Sequence, residues 1–233
     1  MGEYPGRRTT GEEAKMVSAF CAIRRVDDSR LVPFGKLSLT LDTMAGKLKV
    51  GIIIGSTRPG RVCEQVANWV LENASKRQDA EFEIVDIAKF NLPVLDEPVP
   101  AFYAAYNNEH TKKWSEAIAK YDAYVFVTPE YNHGCPGALK NAIDYLYKEW
   151  NNKAATFVSY GSAGGVRAVE HLRDICGWLQ VATVQNQLTF NLFTDFENFS
   201  VFKPTEEERK QESLTGCLDQ VIAWGGALKP LRT

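Results

Sequence analysis

The sequence predicts an α/β fold: a doubly wound, five-stranded parallel sheet with strand order 2-1-3-4-5. Three observations support this prediction. Strand-like apolar runs alternate with segments of helical spacing from residue 47 to about residue 228. Several of those runs are apolar throughout, which is typical of strands covered on both faces. Strands that alternate with helices form parallel sheets through right-handed crossovers, and five such units are the expected size of this fold.

Each strand is predicted from the pattern of its own residues. Continuous apolar runs indicate that the first, third and fourth strands are buried on both faces. Polar and apolar residues alternate in the second and fifth, and we expect the second to lie nearer an edge of the sheet. In chain order the predicted strands are 47–55, 81–88, 123–128, 154–160 and 184–191.

The helices between them are predicted from apolar residues that recur with helical spacing. Pro136 is suited to the first position of the third helix. Thr205 and Glu208 have the spacing of a capping box, which predicts the start of the last helix. A proline-rich, aromatic loop over 89–109 precedes the second helix, and we expect it to form the rim of a site or to cover a partner subunit. The predicted helices are 62–76, 110–120, 137–150, 165–179 and 205–228.

Composition excludes several classes of protein. The chain has 233 residues, 45% of them apolar and 24% charged, which suits one soluble globular domain. Its net charge of −2 argues against a nucleic-acid or membrane partner, and no apolar run approaches bilayer length. The five cysteines lie far apart without a C-x-x-C pair, so we expect no metal site, no disulfides and a cytoplasmic location.

The chain changes character near residue 46. Residues 1–46 have no sustained strand or helix periodicity and are predicted to be a disordered N-terminal extension, while 47–233 form the folded domain. A targeting or regulatory arm is the alternative. Three arginines weakly favour a transit peptide, whereas the early glutamates and the Asp27-Asp28 pair argue against one.

Three unusual loops follow strands 1, 3 and 4, which are neighbours in the predicted order. Ligands bind at the carboxyl edge of such a sheet, so we expect the three loops to converge on one crevice. The first loop, 55–61, places Ser56, Arg58 and Arg61 before a helix N-terminus, a combination suited to a phosphate group. It matches neither the dinucleotide fingerprint G-x-G-x-x-G nor the P-loop.

The other two loops are suited to a flat ring. In the second loop, Tyr131 can cover a ring and Asn132 can bond its heteroatoms. Three simpler roles stay open: Glu130 as a cap for backbone N–H groups inside the loop, His133 as a hydrogen-bonding loop residue, and Cys135 as a packing residue. The third loop, 159–165, contains three glycines, which permit close approach of the backbone to a ligand.

At these residues the sequence resembles a known family. The segments Gly55–Arg61, Pro129–Gly134, Pro136–Asp144 and Ser159–Gly161 resemble the NADPH-dependent FMN reductase family. The resemblance is closer to its fungal and bacterial quinone and azo reductase branch. It covers about residues 47–225 and omits the N-terminal extension.

The resemblance implies a flavodoxin-like fold, bound FMN, NADPH or NADH as co-substrate, and a homodimer or homotetramer. It implies hydride transfer from NAD(P)H to FMN, followed by two-electron reduction of a quinone, azo compound, metal ion or free flavin. The first loop would then hold the FMN phosphate and the other two would line its ring. The implied cofactor-binding residues are Ser56, Arg58, Arg61, Pro129, Glu130, Tyr131, Asn132, His133, Gly134, Ser159, Tyr160 and Gly161.

We expect no obligatory side-chain acid, because the cofactor supplies the reactive chemistry. His133 and Tyr131 are candidates for orienting the acceptor. Arg58, Arg61 and Arg167 are candidates for selecting NADPH over NADH, and nothing in the sequence ranks them. Cys135 departs from the bulky or apolar residue common in the family.

Three other functions are considered. A flavodoxin-type electron carrier is disfavoured, because such carriers tend to be strongly acidic and this chain has a net charge of −2. A regulatory protein whose flavin state controls binding to a partner, and an arsenic-resistance-type reductase of the same superfamily, stay open.

Overall fold

The central sheet has five parallel strands in the order β2-β1-β3-β4-β5, so the predicted topology is confirmed. The computed structural model describes residues 46–232, and the predicted extension over 1–46 lies outside these residues apart from Gly46. β2 forms one edge of the sheet, as its alternating pattern predicts. The strands are β1 Leu48–Ile54, β2 Ala80–Asp86, β3 Ala123–Pro129, β4 Lys153–Gly161 and β5 Val181–Asn191.

Five α-helices connect or follow the strands. Short 3₁₀ turns occur at Ile87–Phe90, Ala101–Tyr103 and Lys229–Leu231. No helix between residues 46 and 232 is both long and apolar enough to cross a bilayer. The helices are α1 Cys63–Ala74, α2 Glu109–Ala119, α3 Gly137–Asp144, α4 Val166–Trp178 and α5 Glu207–Leu228.

Helices cover both faces of the sheet with cores of different character. α1 and α5 pack on one face over a largely aliphatic core. α2, α3 and α4 pack on the other face, where large aromatic side chains are buried, among them Trp114, Trp150 and Phe157. β1, β3 and β4 lie inside the sheet between these two layers, which explains their continuous apolar runs.

Helix α3 ends six residues before its predicted end. The indole of Trp114 donates to Ala142 O at 2.7 Å, and the indole of Trp150 donates to Ile143 O at 3.2 Å. These bonds satisfy two carbonyl groups of the last helical turn. Without them, those carbonyls would need N–H partners from a further turn of helix. The prediction of a helix to residue 150 is therefore wrong.

The predicted capping box at Thr205 is also wrong. The residue before α5 is Glu206, which has a φ of 49° and makes no side-chain cap. Thr205 instead donates to the buried carboxylate of Asp195 through its backbone N–H at 2.9 Å and its hydroxyl at 3.0 Å. The Thr205 side chain therefore makes a tertiary contact instead of the helix cap that the local pattern predicts.

One carboxylate joins the two ends of the described fold. Asp122, just before β3, accepts a hydrogen bond from Lys49 N in β1 at 2.9 Å. It also accepts from Lys229 Nζ at 3.1 Å and from Arg232 Nη2 at 2.8 Å, after α5. The first strand and the last residues therefore lie side by side at the amino edge of the sheet.

Candidate functional site

One cavity of about 200 Å³ lies at the carboxyl edge of the sheet, where the three predicted loops meet. Residues after β1, β3 and β4 line it, together with two residues from the segment that follows β5. The lining residues are Arg58, Gly60, Arg61, Val62, Pro129, Glu130, Tyr131, Tyr160, Gly161, Leu192 and Phe199.

The loop after β1 leaves an open helix N-terminus at this cavity. Val62 precedes α1 and lines the cavity, and no side chain of the described residues caps the helix there. Unpaired N–H groups and the positive end of the helix dipole favour an anion at such a point. Ser56 is fully buried beneath the loop, and its hydroxyl lies 2.9 Å from the hydroxyl of Tyr131, which joins the first loop to the second.

The two arginines of this loop have different surroundings. The Arg61 guanidinium bonds Ser56 O at 2.6 Å and Asp86 at 2.7 Å, and it also pairs with Glu64. These contacts tie the loop to β2 and occupy the guanidinium. Arg58 is exposed and forms no ion pair with any residue between 46 and 232, so its charge is available to a ligand in the cavity.

The loop after β3 contains a tight turn at Tyr131–Gly134. Tyr131 and Gly134 exchange two backbone hydrogen bonds of 3.0 Å, and the central residues Asn132 and His133 have φ values of 49° and 65°. Asn and His tolerate the left-handed region better than most residues do. Asn132 and His133 are exposed at the tip of this turn, and neither they nor Gly134 line the cavity.

Glu130 joins the second loop to the third. Its side chain is only 6% exposed and pairs with the guanidinium of Arg167. It also accepts a hydrogen bond from the backbone N–H of Arg167 at 3.1 Å, in the first turn of α4. Glu130 therefore caps a backbone N–H of α4, whereas the simpler role expected from the sequence was a cap for N–H groups inside its own loop.

The loop after β4 is shaped by close backbone packing. The Ser159 hydroxyl donates to Gly164 O at 2.7 Å, so Ser159 shapes the loop and does not line the cavity. Gly165 has a φ of 76°, and a Cβ there would lie 2.9 Å from both Ser159 Cβ and Tyr160 N. Gly161 does line the cavity, and Tyr160 presents a buried ring whose hydroxyl pKa is raised by that burial.

Four lining residues are not among the site residues predicted from the sequence: Gly60 and Val62, just before α1, and Leu192 and Phe199. Leu192 and Phe199 belong to the segment between β5 and α5, which contains a short antiparallel hairpin, β6 Phe196–Glu197 and β7 Val201–Phe202. The cluster of aromatic residues over 193–202 is the sequence signal that could have indicated them. The strands of this hairpin are too short for a periodic pattern to identify.

Cys135 lies outside this cavity. Burial raises the pKa of its thiol, so the sulfur stays protonated at neutral pH and is a weak nucleophile. No cluster of three or more metal-ligating side chains occurs within the part of the chain that the structure describes. These observations favour a binding site for a reactive cofactor over a site that supplies its own nucleophile.

A larger cavity of about 390 Å³ lies beside the first loop and shares only that loop's Thr57. Its other lining residues come from the segment after β2 and from α3, and none carries a charge. Because a phosphorylated ligand needs a cation or open N–H groups, the smaller cavity is the better candidate.

The lining of the smaller cavity fits FMN. Arg58 and the start of α1, which no side chain of the described residues caps, suit the phosphate. Pro129, Tyr131 and Gly161 offer an aromatic ring and glycine backbone to a flat ring system.

Comparisons with known proteins identify the family of the chain. The profile of the family described as NADPH-dependent FMN reductase matches residues 48–195. The NAD(P)H-dependent FMN reductase ntnL from Nectria sp is 41% identical over 192 residues, covering 74% of this chain and 94% of that protein. An NAD(P)H-dependent FMN reductase from Schizosaccharomyces pombe is 38% identical over 164 residues, covering 70% and 82%.

A solved structure shares the fold. The flavoenzyme NAD(P)H:(acceptor) oxidoreductase FerB from Paracoccus denitrificans superposes with a TM-score of 0.59 at 20% identity, covering 77% of this chain and 98% of that one. The matched profile spans β1 to β5 and all three loops of the cavity. The chain belongs to the NADPH-dependent FMN reductase family.

Proposed function

We propose that the protein binds FMN in the smaller cavity and oxidises NAD(P)H to reduce a small-molecule acceptor. The observation that supports this most directly is the pairing state of the two loop arginines. Arg61 is held by Asp86 and Glu64, whereas Arg58 pairs with no residue between 46 and 232 and lies at the start of α1. A phosphate group there would pair with the Arg58 guanidinium and accept hydrogen bonds from the helix N–H groups.

When bound, FMN would supply the redox chemistry, which is hydride acceptance from NAD(P)H and two-electron reduction of the acceptor. The part of the protein would be to bind and position the cofactor. Arg58 and the N–H groups at the start of α1 would hold the phosphate. Tyr131 and Gly161 would line the ring, and the Glu130–Arg167 pair ties the loop of Tyr131 to the start of α4.

The remaining predicted site residues have indirect roles in this proposal. Ser56, Arg61 and Ser159 shape the loops through bonds to Tyr131, Asp86 and Gly164. Asn132 and His133, at the exposed tip of the turn, are available to orient an incoming acceptor, and Gly134 closes that turn.

The acceptor we propose is a flat molecule such as a quinone or azo compound. A quinone reductase of Escherichia coli K12 is 35% identical over 156 residues, covering 63% of this chain and 78% of that protein. Flat acceptors suit a site whose walls are aromatic rings and glycine backbone. The cytoplasmic location stays a prediction.

A homodimer or homotetramer is part of the proposal. The loop between β2 and α2 exposes Val94, Phe102 and Tyr103, and Asn141 of α3 holds it through bonds to Pro93 O at 2.6 Å and Leu95 N at 2.9 Å. Fixed, exposed apolar side chains favour a subunit contact. We expect Phe102→Asp to lower the molar mass measured by light scattering, and an unchanged mass would contradict this contact.

The visible spectrum of the purified protein under anaerobic conditions tests the proposed function. We expect flavin absorption bands that bleach fully on addition of one equivalent of NADPH or NADH, followed by recovery when a quinone is added. A flavin that ignores both nucleotides would favour an electron carrier. A colourless protein that also fails to bind added FMN would overturn the site assignment.

A further inference from the structure

The β6–β7 hairpin adds a wall to the cavity from outside the stretch that the family profile matches. That match ends at residue 195, and β6 begins at Phe196. The tip of the hairpin contributes Phe199 to the lining of the cavity. Phe199 therefore lies outside the stretch that the profile matches, whereas Leu192 lies inside it.

The hairpin is anchored without the help of Phe199. The Gln65 side chain in α1 donates to Ser200 O and accepts from Phe202 N, both at 2.9 Å. On the inner side, the ring of Phe202 packs against Phe190 with centroids 4.9 Å apart, and Phe196 packs against Tyr160 at 5.5 Å. These contacts fix the position of the tip.

The turn at the tip does not explain why a phenylalanine stands there. Ser200 N donates to Glu197 O at 3.1 Å, and the central residues Asn198 and Phe199 have φ values of 49° and 55°. A bulky residue is a true outlier in this region, where glycine or asparagine would form the turn more easily. A strained residue that persists at the edge of a binding cavity indicates a function for its side chain.

The Phe199 ring faces solvent and the cavity together. It is 60% exposed and lies edge-to-face against Phe193, with centroids 5.8 Å apart at 85°. It lines the same cavity as Arg58 and Tyr131. A ligand that fills the cavity would cover part of this apolar ring and remove it from water.

We propose that Phe199 is a cofactor-retaining residue: its ring covers bound FMN and slows its release. This inference rests on the proposed function, because it assumes that FMN is the ligand. The ring acts by contact and by excluding water, and it takes no part in electron or proton transfer.

The experiment measures FMN binding to the full-length apo-protein by flavin fluorescence, together with the melting temperature of the apo-protein. Phe199→Asn removes the ring and keeps a residue that tolerates positive φ. We expect its FMN dissociation constant to rise about tenfold, through faster release, while the apo-protein melts at the same or a higher temperature. Phe199→Tyr keeps the ring and should bind FMN like the wild type.

Trp178→Ala is the matched control, since Trp178 is also an exposed aromatic residue, at the end of α4, and does not line the cavity. We expect it to leave FMN binding unchanged. Wild-type affinity in Phe199→Asn would overturn this inference alone. Loss of affinity accompanied by a lower apo-protein melting temperature would assign Phe199 a structural role and overturn it as well. A wild-type protein that fails to bind FMN would overturn both this inference and the proposed function.

Discussion

At the scale of single residues, the environment separates side chains that the sequence presents as equivalent. Arg58 and Arg61 lie three positions apart in one polar loop, and the sequence assigns both to a phosphate. The structure pairs Arg61 with Asp86 of β2, 25 residues further along the chain, and leaves Arg58 unpaired among the described residues. No local pattern reveals that partner, because it depends on how β2 lies beside β1.

The first prediction concerns Arg61. Arg61→Met leaves the Asp86 carboxylate, which is almost fully buried, without its cation. We expect a loss of about 3 kcal/mol in the free energy of unfolding, the cost of an uncompensated buried charge. Urea denaturation measures it.

Arg77→Met is the control, since Arg77 pairs with two carboxylates that are about half exposed, Asp79 and Asp219. Exposed pairs of this kind contribute at most about 1 kcal/mol. Equal losses in the two variants would show that Arg61 does not hold the loop to β2.

The second prediction concerns pH. Burial, together with the charge of nearby Arg232, lowers the pKa of Lys153 to about 7 against the opposing effects of Asp122 and Glu149. Between pH 7 and 10 the unfolded chain therefore binds more protons at this residue than the folded protein does. The free energy of unfolding should rise by about 2 kcal/mol from pH 7 to pH 9 because of Lys153.

Urea denaturation at the two pH values checks this in the wild type and in Lys153→Met. The variant also loses the bonds that the amine makes to Ile118 O, Ala119 O and Tyr124. The quantity to compare between the wild type and the variant is therefore the change in the free energy of unfolding from pH 7 to pH 9, and not its value at either pH. The same rise in both proteins would contradict the assignment to Lys153.

At the scale of elements, the sequence predicts that a strand or helix exists better than it predicts the residues where that element begins and ends. All five predicted strands and all five predicted helices are present. Each has apolar residues spaced so that they are buried only when the element forms part of the sheet or packs against it. The wrong predictions concern where helices begin and end. Hydrogen bonds from Trp114 and Trp150 terminate α3, and Thr205 bonds Asp195 instead of capping α5. These partners lie 7 to 28 residues away along the chain, which is beyond the spacing that local capping rules consider.

The third prediction concerns the loop before α4. Gly165→Ala places a Cβ 2.9 Å from three atoms of Ser159 and Tyr160 at a φ of 76°. We expect it to lower the free energy of unfolding by about 3 kcal/mol, and to weaken FMN binding through displacement of Gly161.

Gly177→Ala, within α4, is the matched control. A Cβ at Gly177 meets nothing within 4 Å, so the change should raise stability by up to about 1 kcal/mol through helix propensity. Thermal and urea denaturation compare the two variants. A Gly165→Ala protein as stable as Gly177→Ala would show that the loop has room to move.

At the scale of the whole molecule, the candidate site follows from topology. The order 2-1-3-4-5 places the carboxyl ends of β1, β3 and β4 side by side. The three loops therefore meet because of the strand order, independently of which side chains they carry. What topology does not supply is the wall from the β5–α5 segment. Leu192 directly follows β5, and Phe199 reaches the cavity on a hairpin held by Gln65, a contact that no sequence pattern indicates.

The fourth prediction concerns the domain. We propose that residues 45–233 fold and bind FMN without residues 1–44. The relative from Nectria sp supports this, since its match covers 94% of that protein but only 74% of this chain. The shortened protein should keep the melting temperature and FMN affinity of the full chain, measured by calorimetry and fluorescence titration. A clear loss of either would assign the first 44 residues a part in the fold or the site.

The three bonds that meet at Asp122 have a consequence for chain connectivity. They place Lys49, at the start of β1, next to Lys229 and Arg232, after the last helix. A few linking residues would therefore bridge the two ends of the described fold, residues 46 and 232. The polypeptide could then be opened at an exposed loop elsewhere without changing which strands are neighbours. A circularly permuted protein of this kind would keep the same cavity, since the cavity depends on the arrangement of the strands and not on where the chain begins.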